Sequence, residues 1–532
     1  MARPQPKYSP TDEYARRIAR AIAKGRPPPF REDLDRYCEG SPGEIFAAFA
    51  GAARHMPPAG KDEALALGYL FLLQRLLEFL RYRTDSGYAE AAKLIADFQA
   101  EVVARVEAGD AGATMLAFVG GALHQAKIPA SPEFAAATAK QPFAENADES
   151  LPGDIRVALR GVLDECGGDP FLAAGSLMET GHALPAEARG ALAAALAESD
   201  TSELRSLALL FLLDADAAAR RAVAQALARV AASLGPIDVR RLIAMRNWRP
   251  ENERGEVDAV IRAARAAGID CAQWQAASVE TILASPIDGV AAQGFLIISP
   301  AGRKKRVSSV LTKNGIADAW SGEPESRRQI EASLAGAGMD APMISVSRSY
   351  LDRTVAHHLA LSTEKGGAPP FGLLQVAETI GGADWRPARI SFADLLAELM
   401  AEVPKSMCEP AAVTALLRKS DKLAGLAGIA HCWCEDDPQA AQMVKQTRGR
   451  NRAQVASYLL QSVIARRRDR WAEIFVRTAA WMREAPEDSG LCWRELALVA
   501  KSLADGRDIS EIALMRDIAL QTIEALRNIG RM

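Results

Sequence analysis

The 532-residue chain carries 64 lysines and arginines against 67 aspartates and glutamates, which leaves a net charge of −3. This small charge excludes a global field that selects a polyanionic or polycationic partner, so any such preference must be local. Hydrophobic residues make up 49% of the chain but aromatic residues only 6%, a balance that favours stacked helices over a sheet sandwich.

The cysteines and the apolar stretches indicate the compartment. Seven cysteines are scattered along the chain, and an odd, irregularly spaced set is unlike a disulfide framework. The N-terminal residues lack an apolar core of signal-peptide length. The longest apolar stretch, 65–80, is interrupted by Gln74, Arg75 and Glu78 and is too short to span a bilayer. We therefore expect a soluble, cytoplasmic protein that does not enter a membrane.

Residues 1–126 predict an N-terminal helical domain. Its first helix, a basic amphipathic one over 11–24, ends at a run of prolines, which cannot continue a helix. The most apolar helix is predicted at 61–83 and is expected to form the core. Its core residues are expected to be Leu65, Leu67, Leu70, Phe71, Leu73, Leu76, Leu77 and Leu80. Further helices are predicted at 31–38, 43–54, 86–108 and 110–126. Residues 127–153 contain four prolines and predict a linker.

The next stretch, 154–284, carries a repeated pattern. Segments beginning at Arg156, Arg189, Arg220 and Arg254 share the template Arg-x-Ala/Glu-Leu/Val-x-x-Ala/Val-Leu/Ile, at spacings of 33, 31 and 34 residues. Such a period predicts one helical pair per repeat, stacked so that neighbours bury each other's apolar faces. Each arginine stands near the start of its helix, where the helix dipole does not favour a cation. We therefore expect a carboxylate or carbonyl of a neighbouring repeat to hold it.

The segments Asp154-Ile155-Arg156 and Ala219-Arg220 resemble HEAT-like repeats of the phycobilisome-lyase type. In those repeats an arginine opens the second helix ahead of a spaced alanine and leucine. The resemblance implies an α-solenoid in a bacterial protein and concerns architecture alone. HEAT-repeat alkylpurine DNA glycosylases are a family in which such a solenoid is an enzyme. Their catalytic aspartate and tryptophan motif matches no positions of this sequence, so no residue role is carried over.

The periodicity changes in the next stretch, 285–390. Residues 293–299 predict a strand, 300–302 a turn, and 306–312 a second strand or a short helix. Together they predict a β-hairpin inserted in an otherwise helical chain. Residues 343–347 predict a third strand, so the inserted β element lies near 293–347.

The last predicted domain, 391–532, returns to helices without a clean copy of the repeat template. Helices from the insert onward are predicted at 349–363, 391–403, 410–429, 437–446, 451–466, 469–484, 490–504 and 508–529. The sequence therefore predicts a mainly α fold, namely an α-solenoid of HEAT-like helical pairs with a small inserted β-hairpin.

Three clusters of basic residues are candidates for phosphate contacts, because phosphate binding needs lysines or arginines on one surface. One lies in the predicted hairpin turn and two lie in the C-terminal domain. They are Arg303, Lys304, Lys305 and Arg306; Arg448, Arg450 and Arg452; and Arg466, Arg467 and Arg468, with Arg470 close by. The alternative interpretation is solvated helix faces balanced by nearby acids, which the acidic net charge favours. Few aromatic residues accompany these clusters, the nearest being Trp320 and Trp471.

A second candidate site is the sequence His-Cys-Trp-Cys-Glu-Asp-Asp at 431–437. His431, Cys432 and Cys434 are of residue types that bind zinc. Cys-x-Cys lacks a second pair at the usual spacing, so a helix end followed by an acidic loop is the favoured interpretation. Neither a metal nor a cofactor is predicted.

The pair His357-His358 is a third candidate. Adjacent residues on a helix point about 100° apart, so the two are not expected to serve one site. We expect one histidine to be buried and the other to be exposed. With no complete catalytic constellation and no nucleotide-binding motif in the sequence, these residues do not predict an enzyme.

The favoured function is a non-enzymatic scaffold or adaptor that binds an unknown protein partner, because solenoids present long concave surfaces. The inserted hairpin is expected to be a docking device or an edge for a partner strand. The alternative is a nucleic-acid-binding, DNA-processing protein that uses the basic clusters at 303–306 and 448–470. A weaker alternative is a metal-dependent enzyme using the histidine and cysteines of 431–434. We expect any site to lie where the period breaks, in 293–372.

Overall fold

The chain is mainly helical and contains a small antiparallel sheet, which confirms the predicted mainly α class with a β element. It divides into two compact units, Met1–Ala195 with Ile529–Met532, and Leu196–Asn528. Among the described residues, no helix is both long and apolar enough to cross a membrane. The computed structural model describes residues 9–23, 31–56, 62–85, 88–139, 153–181, 186–274, 278–336, 343–381, 385–426, 429, 432–447 and 450–529.

The first unit is built around its longest helix. Its helices are α1 (Pro10–Ile22), α2 (Arg31–Gly40), α3 (Ile45–His55), α4 (Glu63–Asp85), α5 (Ala89–Glu107), α6 (Ala113–Gln125), α7 (Pro132–Ala139), α8 (Gly153–Glu165), α9 (Pro170–Gly181) and α10 (Ala186–Ala197). Helix α4 is this longest helix and packs against α1, α2, α3, α5 and α6. A Cβ atom at Gly68 would lie 2.2 Å from the carbonyl oxygen of Ala15, so the absence of a side chain there lets α1 approach α4 closely.

The core prediction for α4 is largely confirmed, and it is wrong at one position. Leu67 is 37% exposed. It follows Leu65 by two residues, which places it about 200° around the helix axis on the opposite face. Leu70 and Phe71 are half-buried against the core. The buried leucines of this helix are Leu65, Leu72, Leu73, Leu76, Leu77 and Leu80.

The predicted linker at 127–153 contains a helix, α7. Pro132 occupies its first turn, where a proline is tolerated because the amide it lacks has no helical partner. Phe134 of α7 is buried in the core of the first unit. Residues 140–152 of the predicted linker lie outside the described residues.

The four template segments each form a helix, since Arg156, Arg189, Arg220 and Arg254 lie in α8, α10, α12 and α14 respectively. The helices that open the second unit are α11 (Ser202–Leu210), α12 (Ala217–Arg229), α13 (Pro236–Asn247) and α14 (Arg254–Ala266). There α12 packs against α14, and α11 contacts both α12 and α13. The domain boundaries predicted from the sequence stay predictions.

The sheet belongs to the second unit. Its strands are β1 (Thr281–Ala284), β2 (Ala292–Ala301), β3 (Lys304–Lys313), β4 (Ile316–Ser321) and β5 (Ile344–Ser345). Their order is β4-β3-β2-β1-β5, and every pairing is antiparallel. Strands β2 and β3 form the predicted hairpin, and β5 lies in the predicted third strand. Strands β1 and β4 were not predicted.

Of the two roles expected for the hairpin, a docking device or an edge for a partner strand, the strand order excludes the edge of the sheet. Strand β2 lies between β1 and β3, and β3 lies between β2 and β4. The edge strands are β5, which has two residues, and β4. Helix α17 (Gly372–Thr379) packs against β4, where a Cβ atom at Gly372 would lie 1.8 Å from the carbonyl oxygen of Ala319. Glycine is therefore required at this contact.

Two tryptophans of the C-terminal region donate hydrogen bonds to β1 and to the loop that follows it. The indole of Trp481 donates to the carbonyl oxygen of Ala284 at 3.0 Å, and that of Trp433 donates to Ile287 at 2.9 Å. The remaining helices are α15 (Arg327–Gly336), α16 (Arg348–Glu364), α18 (Phe392–Ala401), α19 (Pro410–Leu417), α20 (Lys422–Leu426), α21 (Pro438–Gln446), α22 (Arg452–Ser462), α23 (Arg468–Arg483), α24 (Trp493–Ala504) and α25 (Ala513–Ile529). The single helix predicted at 410–429 is therefore two helices, α19 and α20.

Candidate functional site

A cavity of about 330 Å³ with both polar and apolar walls lies in the second unit between the sheet, α16, α18 and α23. Helix α16 begins at an N-cap, where the hydroxyl of Ser347 accepts a hydrogen bond from the amide of Tyr350. The polar side chains that line the cavity come from segments far apart in sequence. These residues are Gln293, Asn314, Ser349, Tyr350, Arg353, Thr354, His357, His358, Arg389, Glu473, Arg477, Arg483 and Glu484.

Both histidines of α16 line this cavity and both are buried, so the expectation of one buried and one exposed histidine is wrong. Their exposed fractions are 3% for His357 and 8% for His358, and their ring centroids are 5.2 Å apart. The amide of Ile390 donates to Nδ1 of His357 at 3.1 Å, and the amide of Gly315 donates to Nδ1 of His358 at 3.3 Å. The two rings point in different directions from the helix, and each is covered by a different loop.

Burial keeps these histidines neutral. It lowers the pKa of His357 to about 2, with a further contribution from the charge of Arg477. It also lowers the pKa of His358 to about 3, again with a contribution from Arg477. Because a backbone amide donates to each Nδ1, the hydrogen of each neutral ring resides on Nε2. Each histidine is therefore a hydrogen-bond donor at Nε2.

Most of the arginines around the cavity are engaged by carboxylates. Arg353 binds both oxygens of Glu398, at 3.1 and 2.7 Å, and Arg483 also binds Glu398. The hydrogen bond from Arg353 lowers the pKa of Glu398 to about 2, against its burial, which raises it. Arg389 pairs with Glu364. These pairs hold α16, α18 and α23 together at one end of the cavity.

Arg477 of α23 is only partly engaged. Its Nε donates to Glu473 at 2.6 Å and its Nη2 donates to the carbonyl oxygen of Ile390 at 3.1 Å. Its Nη1 makes no hydrogen bond to a described residue. The neighbouring Tyr350 is half-buried and exchanges hydrogen bonds with the side-chain amide of Gln293, and desolvation raises the pKa of this tyrosine.

The first predicted basic cluster lies at the tip of the hairpin. Arg303 and Lys304 are exposed there. Lys305 pairs with Glu280, and its backbone pairs with that of Glu325. Arg306 is half-buried, and its Nε makes no hydrogen bond to a described residue.

The second basic cluster lies at the start of α22. Arg452 pairs with Glu524 and also donates to the carbonyl oxygen of Leu520. Arg450 is exposed. Arg448 lies outside the described residues.

The third basic cluster contacts the acidic loop 435–437, which is part of the second candidate site. Arg467 binds the carboxylates of Glu435 and Asp436, while Arg470 binds Asp436 at 3.1 Å and the carbonyl oxygen of Gly289 at 2.6 Å. Burial raises the pKa of Glu435, although hydrogen bonds from Trp471 and the charge of Arg467 lower it. In the same cluster Arg466 reaches Gln439, and Arg468 donates to the carbonyl oxygen of Arg507.

The cysteines of the candidate zinc sequence lie in an extended segment that docks on the sheet region. The amide of Gly289 donates to the carbonyl oxygen of Cys432 at 2.8 Å. Burial raises the pKa of Cys434 to about 11. Among the described residues no group of three or more histidine, cysteine or acidic side chains is placed to hold a metal. His431 lies outside the described residues.

The repeated arginines occupy structural positions, as expected for those whose contacts are described. Arg220 is buried and binds Glu253 with Nε and Nη2, at 2.9 and 2.6 Å. Its Nη1 donates to the carbonyl oxygens of Asp214 and Ala215. Arg254 donates to the carbonyl oxygen of Arg249 at 3.1 Å. The prediction that a carboxylate or carbonyl of a neighbouring repeat holds the repeated arginine is confirmed for Arg220, whereas the acceptor of Arg254 lies just before its own helix.

The fold and the cavity define a mainly helical protein with a small sheet and a cavity beside it. A protein-family model described as the Y4lR second domain matches residues 185–268. A second family model, described as the Y4lR C-terminal helical domain, matches residues 393–527. The chain is 24% identical over 381 residues to "Uncharacterized protein y4lR" of Sinorhizobium fredii (strain NBRC 101917 / NGR234), covering 70% of this chain and 72% of that protein. No solved structure matches the chain.

Proposed function

We propose that the chain is a non-enzymatic α-solenoid scaffold of the cytoplasm that binds a partner protein. Polar contacts between residues one repeat apart carry this proposal. Arg220 of α12 binds Glu253, 33 residues further along the chain. Ser206 of α11 binds Asp238, 32 residues further along. Two more pairs have similar separations of 35 and 31 residues, namely Arg221 with Glu256 and Arg229 with Glu198.

Contacts at a sequence separation close to one repeat length are what stacked repeats require, because each repeat touches its neighbours. The two contacts of α12 with the residues around the start of α14 differ in burial. Arg220 and Glu253 are 1% and 8% exposed, whereas Arg221 and Glu256 are 58% and 31% exposed. The buried pair fixes the stacking of the helices, and the exposed pair lies at the rim. This arrangement supports a short solenoid as the rigid part of the scaffold.

The docking surface we propose is the outer face of the sheet, defined by Leu311 of β3 and Trp320 of β4. These side chains are 37% and 44% exposed. Trp320 lies opposite Ser309 and Leu311 lies opposite Asp318, so both point to the same face of the sheet. An exposed tryptophan beside an exposed leucine is typical of a protein-binding patch. The partner is a protein with an apolar surface of its own.

The test is capture of a partner by the purified full-length chain from bacterial cytosol, followed by binding of the purified partner. We expect a stoichiometric complex that loses at least about tenfold in affinity when Leu311→Asp and Trp320→Ser are introduced, since buried aromatic anchors dominate interfaces. The matched control is Tyr458→Ser, which removes an exposed aromatic side chain of α22 that is 58% exposed. That variant is expected to bind with unchanged affinity.

Two results would contradict the proposal. One is that no stoichiometric partner is captured while the chain turns over a defined substrate. The other is that a partner binds the sheet variants and the control variant with equal affinity, which would show that the outer face of the sheet is not the docking surface.

The alternative proposal is nucleic-acid binding through the exposed Arg303 and Lys304 at the hairpin tip. The exposure of these two side chains is the observation that favours nucleic-acid binding there. Arg467 and Arg470 of the third cluster are instead paired with carboxylates. Phosphate contacts would make the affinity fall steeply with salt. Gel shifts at low salt with Arg303→Ala and Lys304→Ala check this alternative, and no retention of nucleic acid by the unaltered chain would end it.

A further inference from the structure

We propose that the cavity between the sheet, α16, α18 and α23 is a binding site for a small organic carboxylate with an apolar body. This site is independent of the scaffold function proposed above. The cavity volume of about 330 Å³ lies at the lower end of the range for small-molecule sites. Three features of the described residues select the ligand: uncommitted hydrogen-bond donors, the local charge and the apolar walls.

The donors are the Nε2–H groups of His357 and His358. Both side chains are more than nine-tenths buried, and Nδ1 of each is already paired with a backbone amide. Neither Nε2 makes a hydrogen bond to a described residue. Two unpaired Nε2–H donors that line one cavity are suited to a ligand that accepts hydrogen bonds.

The same hydrogen bonds argue against a metal at these histidines. A metal bound to Nε2 would require the ring hydrogen to move to Nδ1. In His357 the hydrogen on Nδ1 would then point at the amide hydrogen of Ile390. In His358 it would point at the amide hydrogen of Gly315. The rings are therefore held in the tautomer that donates from Nε2, and an acceptor oxygen is the complementary ligand atom.

The charges of the lining favour an anionic ligand. Four arginines, Arg353, Arg389, Arg477 and Arg483, line the cavity together with two glutamates, Glu473 and Glu484. Arg477 pairs with Glu473 through Nε and keeps Nη1 uncommitted among the described residues, so this nitrogen is able to donate to a ligand. A carboxylate satisfies these conditions because it carries one negative charge and two acceptor oxygens.

The rest of the lining favours a hydrocarbon body on the ligand. Apolar side chains from the loop after β1, from α16, from the loop before α18 and from α18 and α23 line the remaining wall. They are Ile287, Leu361, Ile390, Leu395, Ile474 and Ala480. Burying an apolar group against them contributes about 25 cal/mol per Å², which an ion without hydrocarbon cannot gain.

The first experiment is thermal unfolding of the full-length chain with hexanoate, benzoate, acetate or inorganic phosphate, at constant ionic strength with chloride as reference. Tryptophan fluorescence reports on the second unit, because all eight tryptophans lie beyond residue 196. A ligand at ten times its Kd is expected to raise the Tm by about 3 °C. We expect this shift with hexanoate or benzoate, a smaller one with acetate, and none with phosphate.

Two matched substitutions separate ligand binding from folding. His357→Asn keeps an acceptor near the position of Nδ1 for the amide of Ile390 but removes the donor at Nε2. His357→Gln reaches the position of Nε2 with a donor but gives up the acceptor at Nδ1. We expect the asparagine variant to unfold near the wild-type Tm and to lose the hexanoate shift. The glutamine variant is expected to unfold at a lower temperature and to keep that shift.

Three outcomes would overturn the proposal. The first is the absence of a shift with all three carboxylates. The second is a shift with phosphate alone, which would indicate a general oxyanion site. The third is an unchanged hexanoate shift in a folded His357→Asn, His358→Asn double variant, which would place the ligand elsewhere.

Discussion

Two arginines of the second unit, Arg220 in the repeat region and Arg477 beside the cavity, differ in how completely they are satisfied. Arg220 directs all three of its guanidinium nitrogens at acceptors, among them both oxygens of Glu253. Arg477 leaves Nη1 without a described acceptor, next to two histidines with uncommitted donors. An arginine whose nitrogens are all engaged within the fold stabilises the fold, whereas an arginine with a donor left over beside a cavity is able to bind a ligand.

The largest expected effect comes from removing Glu253, the carboxylate that Arg220 binds with two of its nitrogens. Glu253→Ala leaves Arg220 and Arg249 buried without their carboxylate, and the expected cost is about 3–5 kcal/mol of unfolding free energy. Urea unfolding followed by tryptophan fluorescence measures it in the second unit. The control is Glu256→Ala, which breaks the more exposed pair with Arg221 and is expected to cost about 1 kcal/mol or less. Equal costs for the two variants would contradict the distinction between buried and rim pairs.

The second prediction concerns pH and the two histidines. The native pKa values of His357 and His358 are lowered to about 2 and 3, from 6.5 in the unfolded chain. As pH falls below 6.5 the unfolded chain binds two protons that the native chain does not, so stability falls with pH. Between pH 6.5 and 4.5 the contribution is about 2–3 kcal/mol per pH unit for the two groups. Urea unfolding at several pH values measures this slope.

The control for the pH prediction is the double variant His357→Asn, His358→Asn. Burial raises the pKa values of Asp288 and Glu435, so their titration changes stability in the direction opposite to that of the histidines. Both carboxylates are present in the wild type and in the variant. The difference between the two slopes therefore isolates the histidines, and parallel slopes would show that the histidines are not held neutral.

A smaller effect is expected at the ion pairs between α23 and the acidic loop. Arg467→Ala removes hydrogen bonds to the buried Glu435, and the expected cost is about 1.5–3 kcal/mol. Arg466→Ala, one residue earlier, removes a contact with Gln439 on the surface and is expected to cost about 0.5 kcal/mol or less. Chemical unfolding of both variants measures the difference. Greater loss from Arg466→Ala would mean that the acidic loop does not anchor this cluster.

The smallest effect on stability is expected at the proposed docking surface. Trp320→Ser alters a side chain that is 44% exposed, and we expect the unfolding free energy to change by about 0.5 kcal/mol or less. Its effect should appear in partner affinity instead. A large loss of stability in the free protein would show that Trp320 belongs to the core and not to a docking surface.

Helical periodicity predicted most of the helices of the second unit closely. The helix predicted at 349–363 is Arg348–Glu364, and the one predicted at 391–403 is Phe392–Ala401. Strand β4 was missed although Asn314-Gly315 separates it from β3. Both turn residues have positive φ values, 52° and 144°, and this dipeptide is a strong hairpin signal. Strand β1 has four residues, too few for an alternating pattern to stand out.

The cavity was only partly predictable. The expected region 293–372 supplies Gln293, Asn314 and the lining residues of α16, including both histidines. The other wall comes from α18 and α23, more than a hundred residues away from α16 in the case of Arg477. Periodicity identifies which face of a helix is buried, but it does not identify the helix that packs there. The sequence also gave no sign that two loops would donate amides to adjacent rings.

A crystal of the chain grown with 4-bromobenzoate tests most directly whether the uncommitted donors belong to a ligand site. We expect anomalous bromine density in the cavity between α16 and α23. We also expect carboxylate oxygens within hydrogen-bond distance of Nε2 of His357 and of His358. Bromobenzoate bound elsewhere, or oriented with its carboxylate away from both histidines, would contradict the account.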